Sequence, residues 1–216
     1  MRKLRELNLS GTAIMEVPPS IKHLNGLEDL DLGNCKNLVS LPESICSLRS
    51  LKTLKLDGCL KLQKVPKDLG HLQCLQKLTL AYISCELACL SGLCSLRILH
   101  LTKCNLTQGI VQSNNCLSSP EVLRMLNCKV MEVEILNLIC HLSSLRTLSI
   151  RYCNLMEGEI PSDISHLSSL DELFLEGNHF SSIPTGINQL SRLVGLDLVT
   201  ARSFYKFQNF HQVYDF

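Results

Sequence analysis

The histidines are the side chains of this chain best suited to act as general acids or bases near neutral pH. There are seven of them: His23, His71, His100, His141, His166, His179 and His211. Four stand directly before a leucine at the same point of a recurring unit: His23, His71, His141 and His166. Recurrence at one register marks a structural position, whereas catalysis needs a nucleophile, a base and a charge-stabilising group that converge. The sequence therefore predicts no catalytic residue and no enzyme.

The twelve cysteines could in principle hold a metal or form disulfides. Cys85, Cys89 and Cys94 come closest to a metal cluster, but they lack the paired C-x-x-C spacing of zinc sites. Five others share the ninth position of the recurring unit: Cys35, Cys59, Cys104, Cys128 and Cys153. We expect thiols in register, one unit apart along the stack, to be too widely spaced for easy pairing. We therefore expect reduced cysteines in an intracellular protein, with no metal and no cofactor.

The recurring unit has the form L-x-x-L-x-L-x-x-(N/C). It is clear in residues 145–153, where Leu145, Leu148, Ile150 and Cys153 occupy its fixed positions, and it returns 25 residues later. This pattern resembles the signature of leucine-rich repeats. Its first, fourth and sixth residues would point inward from a short strand, and its ninth residue would bond backbone groups beyond the strand. Positions two, three, five, seven and eight would then be exposed.

A second pattern follows each strand. An apolar residue precedes a proline, and a further apolar residue comes three positions after that proline, as in Val17-Pro18-x-x-Ile21 and around Pro42, Pro66, Pro161 and Pro184. Proline suits a turn because it fixes φ, and the three-residue spacing predicts 3₁₀ segments. The sequence thus predicts an α/β leucine-rich-repeat solenoid, a horseshoe with a concave parallel β-sheet and a convex side of short helical, 3₁₀ and loop segments.

The predicted array covers residues 1–200 as about nine units without an N-terminal cap. The units start at Leu4, Leu27, Leu51, Leu75, Leu96, Pro120, Leu145, Leu170 and Leu193. The fourth unit is degenerate and predicts irregular curvature at 81–95, and the sixth is weakened by Pro120 and by Met125 at its sixth position. Residues 108–119 predict a mobile loop. The aromatic-rich tail, residues 201–216, predicts either a cap on the last unit or a disordered segment.

The overall charge balance argues against two classes of partner. A net charge of +1 gives no general attraction to nucleic acid or to an anionic membrane. No apolar run is long enough to cross a membrane, and no signal-peptide core follows Met1. We therefore expect a cytoplasmic or nucleo-cytoplasmic protein without a nucleic-acid or membrane partner.

The units at residues 27–45 and 51–69 extend the motif to L-x-x-L-x-L-x-x-C-x-x-L-x-x-(L/V)-P-x-x-(I/L). This form resembles the repeat region of plant intracellular immune receptors of the TIR–nucleotide-binding–leucine-rich-repeat class, over residues 4–198. The resemblance implies a module that senses pathogen effectors or holds the receptor inactive. It implies three candidate partners: an effector, a guarded host protein or the receptor's own nucleotide-binding domain. NAD hydrolysis would belong to a TIR domain, and the sequence has no phosphate loop.

An alternative remains open. The run from Leu155 through Gly158 to Ile160 and Pro161 resembles the L-x-G-x-I-P turn of plant extracellular repeats. The second hypothesis is therefore a fragment of an extracellular leucine-rich-repeat receptor-like or enzyme-inhibitor protein.

The outward-facing strand positions supply the candidate binding surface. Units five to eight bring together arginine, tyrosine and phenylalanine, which are enriched at protein interfaces. We expect a basic stripe bounded by an acidic, aromatic edge, or else an ordinary solvated face of mixed charge. The candidate residues are Arg97, His100, Lys103, Arg124, Arg146, Arg151, Tyr152, Phe174 and Glu176.

Overall fold

The computed structural model describes residues 3–62, 65–83, 90, 92–106, 120–130, 136–137, 139–182 and 186–199. Several features of the sequence lie outside these residues: Cys85 and Cys89, the predicted loop at 108–119, Pro184, and the aromatic tail at 201–216 with His211. The predicted irregular segment at 81–95 is described only in part.

One parallel sheet dominates the structure. The strands, in chain order, are β1 Glu6–Asn8, β2 Asp29–Asp31, β3 Thr53–Leu56, β4 Lys77–Ala81, β5 Ile98–Thr102, β6 Asn105–Leu106, β7 Val122–Leu126, β8 Lys129–Val130, β9 Thr147–Arg151, β10 Glu172–Phe174 and β11 Gly195–Asp197. Nine of them form the sheet in the order β1-β2-β3-β4-β5-β7-β9-β10-β11, and β6 pairs with β8 apart from it. The predicted solenoid with a parallel sheet is confirmed.

The register of the sheet is fixed by leucine. The fourth residue of every unit pairs with the fourth residue of the next, so that leucine faces leucine along the whole sheet: Leu7, Leu30, Leu54, Leu78, Leu99, Leu123, Leu148, Leu173 and Leu196. Leu30, Leu54 and Leu173 are fully buried. Burial of one leucine contributes about 1.5–3 kcal/mol to the stability of the fold. A change of register would lose this contribution, so leucine burial stabilises the observed register.

A repeated backbone contact reinforces that register. The second-position carbonyl of one unit accepts hydrogen bonds from the second and third N–H groups of the next, as Arg97 O does from Glu121 N at 2.8 Å and Val122 N at 3.0 Å. The first-position N–H instead closes a turn with the last residues of the preceding unit, as Leu51 N does by donating to Leu48 O. Pro120 therefore lacks a turn bond and not a ladder bond, which explains why β7 pairs fully on both sides.

Where the ninth position is cysteine or asparagine, its side chain bonds to the unit before it. The Cys59 thiol donates to the Leu32 carbonyl at 3.1 Å, and Cys35 does the same to Leu9. Asn178 does more: its amide nitrogen donates to Ile150 O and Leu175 O, while its oxygen accepts from Cys153 N and Leu155 N. Backbone groups that would otherwise be buried without a partner are satisfied in this way.

The convex side carries the predicted 3₁₀ segments. They are Pro19–His23, Glu43–Ser47, Leu69–His71, Ser162–His166 and Ile187–Gln189. Three begin after an extended proline, namely Pro18, Pro42 and Pro161. Each of these three buries an isoleucine and presents polar side chains to solvent. The histidines at the ends of these segments, such as His23 and His166, are thus far from the concave face, as expected for a structural register.

Removal of the Asn178 amide tests the ninth-position contact. Asn178 is 2% exposed, so Asn178→Ala leaves buried backbone donors and acceptors without partners. We expect a loss of about 3 kcal/mol in the free energy of unfolding, measured by urea denaturation. Asn178→Cys is the matched control, since a thiol at this position can still donate to the preceding unit, and we expect a smaller loss. Equal losses in the two variants would contradict this role.

Candidate functional site

The outward-facing side chains of the sheet form rows that run across the strands. The second-position row lies at the edge where each strand begins, the fifth-position row crosses the middle, and the seventh and eighth positions lie where each strand ends. Each row contains one side chain per unit, about 4.8 Å from the next. Charges on neighbouring units can therefore pair directly.

The second-position row is largely neutralised by such pairs. Arg97 binds Glu121 of the next unit, and Arg146 Nε lies 2.9 Å from Asp171 Oδ2. Glu28 is likewise held between Arg5 and Lys52. The sequence predicts Arg97 and Arg146 as parts of a basic stripe, but their acidic partners cancel much of that charge. More than half of each arginine side chain is exposed, so each pair is worth at most about 1 kcal/mol.

Four predicted residues meet in what we call the Arg151 cluster, which also includes Asp197. The Arg151 guanidinium lies 4.6 Å from the centre of the Phe174 ring. Its Nε is 3.7 Å from Glu176 Oε2, and its terminal nitrogen is 3.8 Å from Asp197 Oδ2. Tyr152 donates to Glu176 Oε1 at 2.5 Å, and this bond raises the pKa of Tyr152. Arg151 Nε is buried without a hydrogen bond, so this guanidinium retains unused donor capacity.

The sequence analysis missed Asp197, although a signal for it was present. It occupies the fifth position of the last unit, which follows directly from the repeat start at Leu193. Side chains at that position share a row with Phe174.

The middle of the face holds a second group, the central basic patch, made of Lys77, His100 and Arg124. His100 and Arg124 are register partners on β5 and β7. Burial lowers the pKa of His100, and the positive charges of Arg124 and Lys77 lower it further. Among the described residues, no ion pair involves Arg124 or Lys77. Sequence analysis missed Lys77, which occupies the third position of its unit.

The eighth position is a left-handed turn in every unit from the first to the eighth. Glycine or asparagine fills it in five of them, at Gly11, Asn34, Gly58, Asn127 and Gly177. Tyr82, Lys103 and Tyr152 adopt the same conformation, with φ of 62°, 53° and 55°. This costs bulky side chains about 1–2 kcal/mol each. Lys103 lies over the Tyr82 ring and donates to its hydroxyl at 3.2 Å, so Lys103 belongs to the rim and not to the middle of the face.

The nine predicted residues therefore fall into four places. Arg97 and Arg146 lie in the paired second-position row, His100 and Arg124 in the central basic patch, and Lys103 on the rim with Tyr82. The remaining four belong to the Arg151 cluster: Arg151, Tyr152, Phe174 and Glu176. The basic stripe is thus interrupted by ion pairs. Among the described residues, the cations of the stripe without an acidic partner are Arg124 near its centre and Lys103 on the rim.

Two of the described thiols, those of Cys59 and Cys140, are buried. Burial raises the pKa of the Cys59 thiol to about 11 and that of Cys140 to about 12. A thiol with a raised pKa is a poor nucleophile near neutrality. Within the described ranges, no three histidine, cysteine or acidic side chains are grouped to hold a metal ion, and no helix is long and apolar enough to cross a membrane.

The chain belongs to the leucine-rich repeat family. Residues 1–119 match the family described as "Leucine-rich repeat region", and residues 144–167 match "Leucine Rich Repeat". Repeats of this family are in general non-enzymatic modules that bind proteins, and no catalytic family is indicated here.

Solved structures share this fold. An internalin of Listeria monocytogenes (InlF) superposes with a TM-score of 0.60 at 18% identity, over 92% of this chain and 62% of its own. The leucine-rich repeat domain of the type III effector XopL gives 0.62 at 22% identity, over 90% of this chain and 68% of its own. InlJ of the same Listeria species, whose functional domain includes a cysteine ladder, gives 0.61 at 16% identity, over 91% of this chain and 44% of its own. The chain spans less than two thirds of InlF, and these likenesses show the fold.

A pair of glycine substitutions tests how the Arg151 cluster is held. Gly177 and Gly158 both have positive φ, of 74° and 81°. A Cβ added at Gly177 would lie 2.3 Å from the Tyr152 ring, whereas one added at Gly158 would meet nothing within 4 Å. We expect Gly158→Ala to cost about 1 kcal/mol through backbone strain alone, and Gly177→Ala to cost at least twice that. Thermal unfolding measures both; equal costs would mean that Tyr152 does not pack over Gly177.

Proposed function

We propose that this chain is a protein-recognition module of a plant innate-immune receptor, which senses pathogen effectors or restrains its receptor during defence signalling. The observation that carries the recognition role is the Arg151 cluster. It places a guanidinium, two aromatic rings and two carboxylates on one exposed surface. Arginine and tyrosine are the residue types that contribute most often to binding hot spots. Three of its residues, Arg151, Phe174 and Asp197, lie on strands, which hold a binding surface more rigidly than loops do.

The proposal of an intracellular plant receptor rests on the units around Cys35 and Cys59. In both, the ninth-position cysteine is fully buried and donates to the preceding unit. Such a unit works with a reduced thiol, which suits the cytoplasm. The partners that we propose are a pathogen effector, a guarded host protein or the nucleotide-binding domain of the same receptor.

One observation favours the second candidate, an extracellular receptor-like or inhibitor protein. Gly158 forms a left-handed turn, and Glu159 Oε2 accepts a hydrogen bond from Met156 N within it at 2.6 Å. This is the segment whose sequence is similar to the turn of extracellular plant repeats. The two candidates use the same concave face but differ in compartment.

Charge reversal on the concave face tests the recognition role. The double variant Arg124→Glu and Arg151→Glu reverses one cation of the central basic patch and the cation of the Arg151 cluster. Among the described residues, neither arginine has a direct hydrogen bond to an acidic group. We expect it to lose binding in pull-downs with candidate effectors and with the nucleotide-binding domain of a receptor of this class. Lys22→Glu with Lys61→Glu makes the same change of charge away from the concave face and should bind normally. Unchanged binding by the first variant would argue against this face.

Thiol counting separates the two compartments. In the intracellular reading, the full complement of twelve cysteines reacts with a thiol reagent after denaturation without reductant. Native protein should expose far fewer, since burial protects Cys59, Cys104 and Cys128. If protein isolated from its natural source shows several reductant-dependent thiols, the extracellular candidate replaces the first.

A further inference from the structure

The middle of the concave face differs from its two ends in how charge is compensated. In the fifth-position row, Lys55 Nζ lies 2.8 Å from Asp31 Oδ2 near one end. Near the other end, the row contains Phe174 and Asp197. Arg151 lies over the Phe174 ring, and its guanidinium is 3.8 Å from Asp197. Between these two regions the row passes through Thr79, His100, Arg124 and Ser149, which contribute no carboxylate. Positive charge in the middle is therefore left without an acidic neighbour in its own row.

Apolar side chains surround this charge. Val122 and Leu126 lie two residues before and after Arg124 on β7, so all three face the same side of the sheet. Ile98 is the register partner of Val122 on β5. Leu126 is 39% exposed. Ile98 and Val122 are partly exposed. A cation beside such apolar groups can accept a carboxylate whose own neighbours are apolar.

The surroundings of His100 indicate which charge a partner group should carry to bind here. The charged groups that act on it are Arg124 from β7, Lys77 from β4 and Asp57 from the turn after β3. Burial and the two cations lower the pKa of His100, while Asp57 acts in the opposite direction. The local potential is thus positive, and an incoming anion would stabilise the protonated imidazole.

We propose that the central basic patch binds a glutamate or aspartate of an extended acidic partner segment, while apolar residues beside that carboxylate contact Ile98, Val122 and Leu126. The proposal rests on the proposed function as a protein-recognition module and names the chemistry of its partner. Arg124 can form a bidentate pair with the carboxylate. It has no ion pair within the described structure that must first be broken. Arg97 and Arg146 would each have to give up an acidic partner to bind in the same way.

A designed peptide tests this site without a known partner. The probe is a fluorescein-labelled dodecapeptide of alternating valine and glutamate, and two matched probes carry serine or lysine in place of glutamate. Fluorescence anisotropy should show that the folded protein prefers the glutamate probe. Arg124→Gln should weaken its binding about tenfold, the effect expected for one charge-assisted contact. Lys55→Gln removes a cation of the same row that is already paired with Asp31, and it should change binding less than about twofold.

Two further measurements separate direct binding from a structural effect. Arg124→Glu should bind the lysine probe better than the glutamate probe, a reversal that an unfolded variant could not produce. The glutamate probe should also raise the pKa of His100, followed by NMR of its ring protons. Equal affinity of wild type and Arg124→Gln for the glutamate probe, or an unchanged His100 titration, would overturn the proposal.

The outcomes also distinguish this proposal from the recognition role. A natural protein partner that is retained by Arg124→Gln and lost with Arg151→Glu would mean that the face recognises proteins while the central basic patch does not. A partner retained by both variants would exclude the concave face altogether. Loss with both variants, together with the preference for the glutamate probe, is the result expected here.

Discussion

The stacking register of the units is the constraint on which the rest of the structure depends. One unit has too few residues to bury its own leucines, so each must cover the next. The second-position carbonyl, which accepts two N–H groups from the following unit, allows only one alignment of neighbouring strands. With that alignment Leu54 meets Leu30 and Leu78, and a slip by one residue would turn these leucines toward solvent. The rows of the concave face follow from the same register, since residues that share a position in the unit are forced to be neighbours.

Much of this could be predicted from the sequence, because periodicity alone decides which residues point inward. The positions of Leu148, Ile150 and Cys153 follow from the spacing, and so does the parallel sheet. The spacing does not predict the conformations of long side chains. Arg97 faces outward as expected, but whether it reaches Glu121 depends on two flexible side chains and on the second-position alignment of neighbouring units. The left-handed turn at Lys103 and Tyr152 could have been predicted from Gly58, Asn34 and Asn127, which occupy the same position with residues that tolerate positive φ.

Pro120 shows that the effect of a proline on a strand depends on which bond its missing N–H would have made. Proline in a strand is expected to remove a ladder bond. In this fold the N–H of the first residue of a unit does not bond to the neighbouring strand in the units where this bond is described. Leu27, Leu51 and Leu145 each donate their N–H to a carbonyl three residues earlier. Replacement by proline therefore removes one turn bond on the convex-to-concave corner and leaves β7 intact. The sixth unit, although weak in sequence, is consequently regular in the sheet, and Arg124 lies on a strand that is paired on both sides.

The division between inward and outward positions also separates stability from recognition. The thiols of Cys35, Cys59 and Cys128 are buried and bond to carbonyls of preceding units, so cysteine at the ninth position serves the stack. Recognition is left to side chains that the stack does not need. Among these, cross-strand ion pairs at Glu28 and Asp171 already satisfy the cations beside them, and an incoming partner would gain little by replacing one carboxylate with another. Selectivity should therefore arise where the repeat pattern fails to supply an opposite charge, and on this face that failure lies around Arg124.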